Sequence, residues 1–95
     1  MEKRLGTINI MVYDTDSVSE VNRILSDYNY CILSRMGLPL REKGIHVITL
    51  VVEATTDQVS AITGKLGRLP SVEAKSMLSK NVSQPRPGSL HVGTN

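Results

Sequence analysis

Few side chains of this 95-residue chain are of a type that could carry out chemistry. Cys31 and His46 are the candidates for a nucleophile, a base or a metal ligand, and His91 follows far along the chain. A structural metal site needs four ligands, so two would be missing even if Cys31 and His46 met. The sequence therefore predicts no catalytic group, no metal and no cofactor within one chain. A metal shared between subunits stays an open alternative.

Two arginines flank a glycine and a proline in the stretch ILSRMGLPLRE, residues 32 to 42. The sequence predicts that Arg35, Gly37, Pro39 and Arg41 face away from the core, where Gly37 and Pro39 would bend the strand. Each arginine could then make a forked contact with a carboxylate of a ligand or of a partner chain. The alternative, at even weight, is that charge and proline only protect a strand edge against aggregation.

A second candidate for binding is the start of the first predicted helix. Ser17 and Glu20 have the spacing of a capping box, and the acidic turn formed by Asp14 and Asp16 precedes them. Free backbone N–H groups after Ser17 could hold a carboxylate or a phosphate. The segment GKLGR, residues 64 to 68, lacks the spacing of a phosphate-binding loop and falls at a helix C-terminus.

Six predicted elements must position these residues. Alternation predicts strands at residues 5 to 13, 31 to 41, 45 to 54 and 71 to 79, and apolar residues at helical spacing predict helices after Ser17 and after Thr55. The first helix should end near Asn29. Residues 1–79 then form one domain, and 80–95, rich in proline and glycine, form a flexible tail. The expected core residues are Ile8, Ile10, Val12, Val18, Val21, Leu25, Tyr28, Ile32, Met36, Leu38, Leu40, Ile48, Leu50, Val52, Ala54, Val59, Ile62, Leu66, Leu69, Val72, Ala74 and Leu78.

The order βαββαβ predicts an α+β, ferredoxin-like fold, a four-stranded antiparallel sheet with both helices on one face and strands one and three in its centre. The opposite face would carry Met11, Tyr13, Val47, Thr49 and Val51, which is apolar for a solvated sheet face. The hypothesis is that a second copy of the chain covers it, giving a homodimer or homotetramer. The alternative is that these residues are simply good strand formers.

Composition excludes some classes of protein. The net charge of +2 comes from interspersed signs, and there are three Tyr but no Phe or Trp. Neither a basic face nor stacking platforms for nucleic acid are therefore expected. No apolar run is long enough for a membrane span, and one cysteine fits a reducing compartment, so the expected location is the cytoplasm.

The combination of three segments resembles the small proteins assigned as regulators of iron-only hydrogenase systems. These segments are VNRIL at residues 21 to 25, the strand with Arg35, Gly37, Pro39 and Arg41, and SAITGKLG at residues 60 to 67. The resemblance implies a regulatory domain similar to ACT modules and to the effector domain of the nickel-responsive repressor. It brings no established ligand residues. The metal-ligand cluster of that repressor is absent, as is a glycine in the loop that begins at Asp14.

The leading hypothesis is a non-enzymatic regulatory module that binds a small molecule or a hydrogenase-related protein where its subunits meet. An interaction adaptor for hydrogenase assembly, without a metabolite ligand, is the alternative. A small ferredoxin-fold enzyme is a third, but the aliphatic inward residues leave no polar cavity for it.

Overall fold

Six helices and strands span residues 2–81, the part of the chain that the computed structural model describes. They are β1 (Arg4–Val12), α1 (Ser17–Ser26), β2 (Ile32–Leu40), β3 (Ile45–Ala54), α2 (Thr56–Gly67) and β4 (Val72–Leu78). Short 3-10 turns at Asn29–Cys31 and Arg41–Lys43 border β2. The predicted order βαββαβ is confirmed. Most of the predicted tail lies outside the described residues, and so does His91.

The four strands form one antiparallel sheet in the order β2-β3-β1-β4. Ile8 faces Leu50 and Ile10 faces Ile48 across the two central strands. These side chains are fully buried because both helices pack over this face. The sequence-based prediction of the two central strands and of their inward residues is correct.

Each helix covers the sheet with the stripe that its spacing predicts. Val21 and Leu25 of α1 are buried with Val59, Ile62 and Leu66 of α2. In addition, α1 buries Ile24, which the pattern did not single out. The helix ends at Ser26 rather than near Asn29, because the chain tightens into i to i+3 hydrogen bonds there.

The two helix starts differ. Thr55 and Gln58 form a capping box on α2, as the sequence suggests, with each side chain accepting from the other's backbone N–H. The capping box predicted for Ser17 and Glu20 is wrong. The carboxylate of Asp14 accepts the Ser17 N–H at 2.7 Å, and Glu20 instead pairs with Arg23.

The sides of the sheet on which the β2 side chains lie also differ from the prediction. Ile32 pairs with Val52, but Ser34 rather than Leu33 pairs with Val51, so Leu33 is an extra residue in a β-bulge. One inserted residue exchanges the faces of everything that follows in a strand. Met36 and Leu38, expected in the core, are therefore 66% and 55% exposed on the face opposite the helices.

Because of the same bulge, most of the β2 residues predicted to face away from the core lie on the other side of the sheet. Arg35, Gly37 and Pro39 lie on the helix side of the sheet, where they pair with Leu50, Ile48 and His46. Cys31, also expected to face outward, is buried. Leu33 is exposed, as expected. The hairpin turn closes at Gly44 with φ of 68°, the left-handed conformation that the sequence anticipates there.

Candidate functional site

The sheet face opposite the helices, called the outer face below, exposes several large apolar side chains. The strand registers place five residues from each of β3 and the β1 region on it, with four from β2 and three from β4. They are Ser34, Met36, Leu38, Leu40, Ile45, Val47, Thr49, Val51, Glu53, Leu5, Thr7, Asn9, Met11, Tyr13, Glu73, Lys75 and Met77. The predicted face residues Met11, Tyr13, Val47, Thr49 and Val51 are all present.

A continuous apolar area lies at one end of the outer face. The half of this face nearer the β2–β3 turn, called the hairpin patch below, is apolar and consists of Met11, Tyr13, Met36, Leu38, Leu40, Ile45 and Val47. Polar residues occur on all four strands over the rest of the face, and two hydrogen bonds join side chains on neighbouring strands. Thr49 donates to Asn9 at 3.3 Å, and the Tyr13 hydroxyl donates to Glu73. That bond raises the pKa of Tyr13.

Met36 and Leu38, together with the half-buried Leu40, are the members of the hairpin patch that the sequence assigns to the core. They occupy alternate positions in an apolar strand, and this pattern is compatible with either face of the sheet. The bulge at Leu33 decides the face, and no turn residue or proline marks the bulge in the sequence. Nothing in the local pattern could have revealed Met36 and Leu38 as surface residues.

A groove of about 390 Å³ opens at the same end of the sheet, between the β2–β3 hairpin and the loop before α1. Its walls are mainly aliphatic, from Val12, Val18, Leu40 and Ile45, and Pro39 forms part of its edge. At the groove β2 turns Pro39 toward the helices, so no long side chain from this position fills the space. Leu40 and Ile45 belong both to the groove and to the hairpin patch.

The polar side chains at the groove differ in whether they have hydrogen-bond partners. Hydrogen bonds from the Ser71 side chain and the Ser17 backbone hold the pKa of Asp14 below its ordinary value. The Arg41 guanidinium and the His46 imidazole also line the groove, and neither makes a hydrogen bond or an ion pair within residues 2–81. The free cationic group at this groove is therefore Arg41, which is suited to a carboxylate or phosphate.

The other predicted binding residues divide between two places. Pro39 and Arg41 line the groove. Arg35 points to the helix layer instead, where its guanidinium donates to the side-chain oxygen of Asn22 on α1. The Ser17 N–H is already donated to Asp14, so the start of α1 offers one donor fewer to an anion than the sequence suggests.

The two candidate reactive residues do not meet. Burial raises the pKa of the Cys31 thiol, which donates to the Tyr28 carbonyl oxygen at 3.4 Å. Cys31 directly precedes Ile32, whose partner Val52 lies six residues along β3 from His46, so Cys31 and His46 are about 20 Å apart. Residues 2–81 contain no group of three His, Cys, Asp or Glu side chains that could hold a metal ion. No helix in this range is long and apolar enough to cross a membrane.

Comparison with known proteins agrees with the fold. The model of the TM1266-like family, described as "Iron-only hydrogenase system regulator, putative", matches residues 4–76. No curated protein matches the chain. The solved structure of the uncharacterized protein TM1266 from Thermotoga maritima is 35% identical, with a TM-score of 0.80. That match covers 83% of this chain and 100% of the other.

Two more distant structures share the fold alone. The ACT domain from the GTP pyrophosphokinase of Chlorobium tepidum is 18% identical, with a TM-score of 0.69, over 79% of this chain and 99% of that domain. The C-terminal domain of the MgtC protein from Mycobacterium tuberculosis is 8% identical, with a TM-score of 0.66, over 88% and 96%.

Proposed function

Since the chain belongs to the TM1266-like family of iron-only hydrogenase system regulators, we propose that it is a non-enzymatic regulatory module that works as a homo-oligomer. Two copies pack through their outer faces, and a small molecule binds in the groove beside that contact. The observation that carries the proposal is the hairpin patch, an apolar surface with no covering layer in the described part of the chain.

The size of the outer face suits a dimer. Four strands about 4.8 Å apart and about nine residues long, at roughly 3.3 Å per residue, span about 550 Å² in projection. Side-chain relief brings this close to the roughly 800 Å² that each partner contributes to a stable interface. The apolar hairpin patch would form the centre of the contact. Glu73 and Lys75 would lie at its rim, which is the usual distribution of polarity in an interface.

A second copy is also the occupant that the polarity of the face favours. A two-fold contact uses the same patch on both chains, so an apolar patch automatically meets an apolar patch. The hairpin patch contains no charged side chain, and beside it Thr49 donates to Asn9 and Tyr13 donates to Glu73. These two polar pairs would therefore not leave those oxygens without a partner inside the contact, which would otherwise weaken it.

The groove is the proposed place for the small molecule. It adjoins the dimer contact through Leu40 and Ile45, and Arg41 offers a cation for an acidic group on the ligand. A ligand in contact with these shared residues would favour one state of assembly over another, which is what a regulatory module requires.

Substitution of Leu38 by aspartate tests the dimer. Leu38 is 55% exposed, so the folded monomer tolerates the change, whereas a carboxylate buried in the contact would be costly. We expect the wild-type chain to have the mass of a dimer, or of a tetramer of such dimers, in light scattering, and L38D to be monomeric with unchanged circular dichroism. Tyr30→Asp is the matched control, since Tyr30 is 69% exposed away from the outer face and should leave the mass unchanged.

Two outcomes would contradict the dimer. One is a wild-type chain that is monomeric at every concentration. The other is a monomer that becomes a dimer when the chain is truncated after residue 81, because residues 82–95 would then be what covers the face.

A thermal-shift screen of amino acids, nucleotides and small carboxylates tests the groove. A ligand that binds only the folded chain raises the midpoint, and Arg41→Ala should abolish that rise. A stable dimer with no hit among these compounds, but with a specific hydrogenase-related protein retained in pull-down, would favour the adaptor function instead. The uncovered hairpin patch is the observation that supports this alternative.

A further inference from the structure

We propose that β2 exchanges between two registers on β3, and that this exchange moves Met36 and Leu38 between the outer face and the groove. The observed pairing is called the bulged register, and the pairing without the bulge at Leu33 the slipped register. The proposal rests on the proposed function, because the slipped register removes apolar side chains from the dimer contact and so regulates assembly.

The sequence of β2 is compatible with both registers. Without the bulge, Ile32, Ser34, Met36 and Leu38 would share one face, and three apolar residues among these four alternate positions are typical of a half-buried strand. In the slipped register Leu38 would pair with His46 and Gly37 with Val47, each one residue from the observed pairing. A register is weakly specified where a strand contains glycine and lacks a fully buried face, as β2 does.

The helix side of β2 has room for the exchanged side chains. A Cβ atom placed on Gly37 would have the His46 Nε2 at 3.5 Å as its one neighbour within 4 Å. Beside it lies the groove, whose volume of about 390 Å³ exceeds what one aliphatic side chain needs. Met36 in the place of Gly37, and Leu38 in the place of Pro39, would therefore enter open space rather than a packed core.

Few contacts hold β2 in the bulged register. It is an edge strand that pairs with β3 alone, and its side-chain hydrogen bond to the helices within residues 2–81 is the one from Arg35 to Asn22. The turn permits the slip. Pairing of Leu40 with Ile45 leaves four loop residues, whereas pairing of Pro39 with Ile45 would leave five, and both lengths are common in hairpins.

The two registers have opposite effects on the hairpin patch. The bulged register exposes Met36 and Leu38 for the dimer contact. The slipped register buries them and brings Arg35, Gly37 and Pro39 to the outer face, which places a charge in the contact. Dimer formation therefore selects the bulged register, and any ligand that fills the groove would do the same because it occupies the space needed by Leu38.

Two double-cysteine variants that share Val47→Cys test the exchange, both with Cys31→Ala. Leu38→Cys with Val47→Cys joins partners of the bulged register. Gly37→Cys with Val47→Cys joins partners of the slipped register, and in the bulged register these two side chains lie on opposite faces, where no disulfide closes. Mild copper-phenanthroline oxidation of the folded chains is followed by non-reducing electrophoresis, which separates closed monomers from cross-linked dimers.

We expect the L38C/V47C disulfide to close at once and the G37C/V47C disulfide to close completely but more slowly. Closure of the G37C/V47C disulfide should become slower as protein concentration rises, because dimer formation lowers the population of the slipped register. The exchange is refuted if both G37C/V47C thiols are still free after ten times the period that L38C/V47C needs to close. The same G37C/V47C variant must close in urea, which shows that its thiols can react.

The failure of each proposal is distinguishable. A G37C/V47C closing rate that is independent of protein concentration, in a chain that light scattering shows to be dimeric, overturns the coupling of register to assembly. A wild-type chain that is monomeric at all concentrations contradicts the proposed function, whereas closure of G37C/V47C still decides whether the exchange occurs.

Discussion

At the scale of single residues, the hydrogen bonds at the start of α1 differ from those that the sequence predicts. Asp14 is one of two acidic residues in the turn before α1, and its carboxylate accepts the N–H of Ser17, the first residue of the helix. A carboxylate at a helix start also interacts favourably with the helix dipole. The sequence pattern favours Ser17 as the capping residue, but the loop brings the Asp14 carboxylate to the first turn, where it accepts the Ser17 N–H.

Acid should remove the contribution of Asp14 to stability. Its folded pKa is lowered, first by the Ser71 hydroxyl and then by Ser17, so the unfolded chain takes up the proton before the folded chain does. The contribution is therefore complete above the unfolded pKa, near 4, and is lost as pH falls through the lower folded value. Asp14→Asn should be less stable than the wild type at pH 7, with a gap in urea midpoint that narrows below pH 4.

Ser71→Ala provides the control for this effect. Without the Ser71 hydroxyl, the pKa of Asp14 is less depressed. In that background, the gap in urea midpoint that Asp14→Asn causes should therefore depend less on pH. A gap that is equally wide at pH 7 and pH 3 in the wild-type background would show that the charge of Asp14 contributes nothing to stability.

At the scale of elements, β1 and β4 come into close contact at Gly6. A Cβ atom at this position of β1 would lie 2.6 Å from Leu78 Cδ2 and 2.7 Å from the Met77 carbonyl oxygen on β4. The leucine side chain could turn away, but the backbone oxygen could not. β4 is an edge strand that pairs with β1 alone. The contact at Gly6 therefore limits how closely β4 can pair with the sheet.

Gly6→Ala should consequently destabilise the domain by about 1 to 3 kcal/mol, the usual cost of overpacking. The matched change is Gly64→Ala in α2, where a Cβ atom meets nothing within 4 Å. That substitution should stabilise the domain by about 0.5 to 1 kcal/mol, because alanine restricts the unfolded chain and favours the helix. Urea midpoints of the two variants should move in opposite directions, and equal shifts would contradict the close approach at Gly6.

At the scale of the whole molecule, one sheet has two different apolar faces. The helices bury one of them around Ile10 and Leu50, and the hairpin patch leaves the other exposed. A 95-residue chain buries a smaller fraction of its surface than a large domain does, so an additional apolar contact between copies would raise its stability substantially. Regulation and stability would then depend on the same surface.

The midpoint of thermal unfolding should therefore depend on protein concentration. When two folded chains associate, mass action raises the midpoint by a few degrees for each tenfold increase in concentration. Leu38→Asp should remove this dependence, while Tyr30→Asp should retain it. A wild-type midpoint that is constant over a hundredfold range in calorimetry would contradict association through the hairpin patch.

The sequence by itself determined the element order, the central strands and the helix stripes. Ile8, Ile10 and Val12 on β1, with their counterparts on β3, repeat with the period of a strand and end at recognisable turns, so local pattern was sufficient there. The capping box at Thr55 and the left-handed Gly44 were likewise predictable, because both depend on residues close in sequence.

Only the tertiary structure decided which face each side of β2 occupies, and with it the site. Periodicity defines the spacing of Met36 and Leu38 but not their phase relative to β3, and one unpaired residue at Leu33 reverses that phase. The reversal creates the groove beside Pro39 and completes the hairpin patch. Both depend on pairing between strands and packing under α1, which are contacts between residues distant in the chain that no short stretch of sequence specifies.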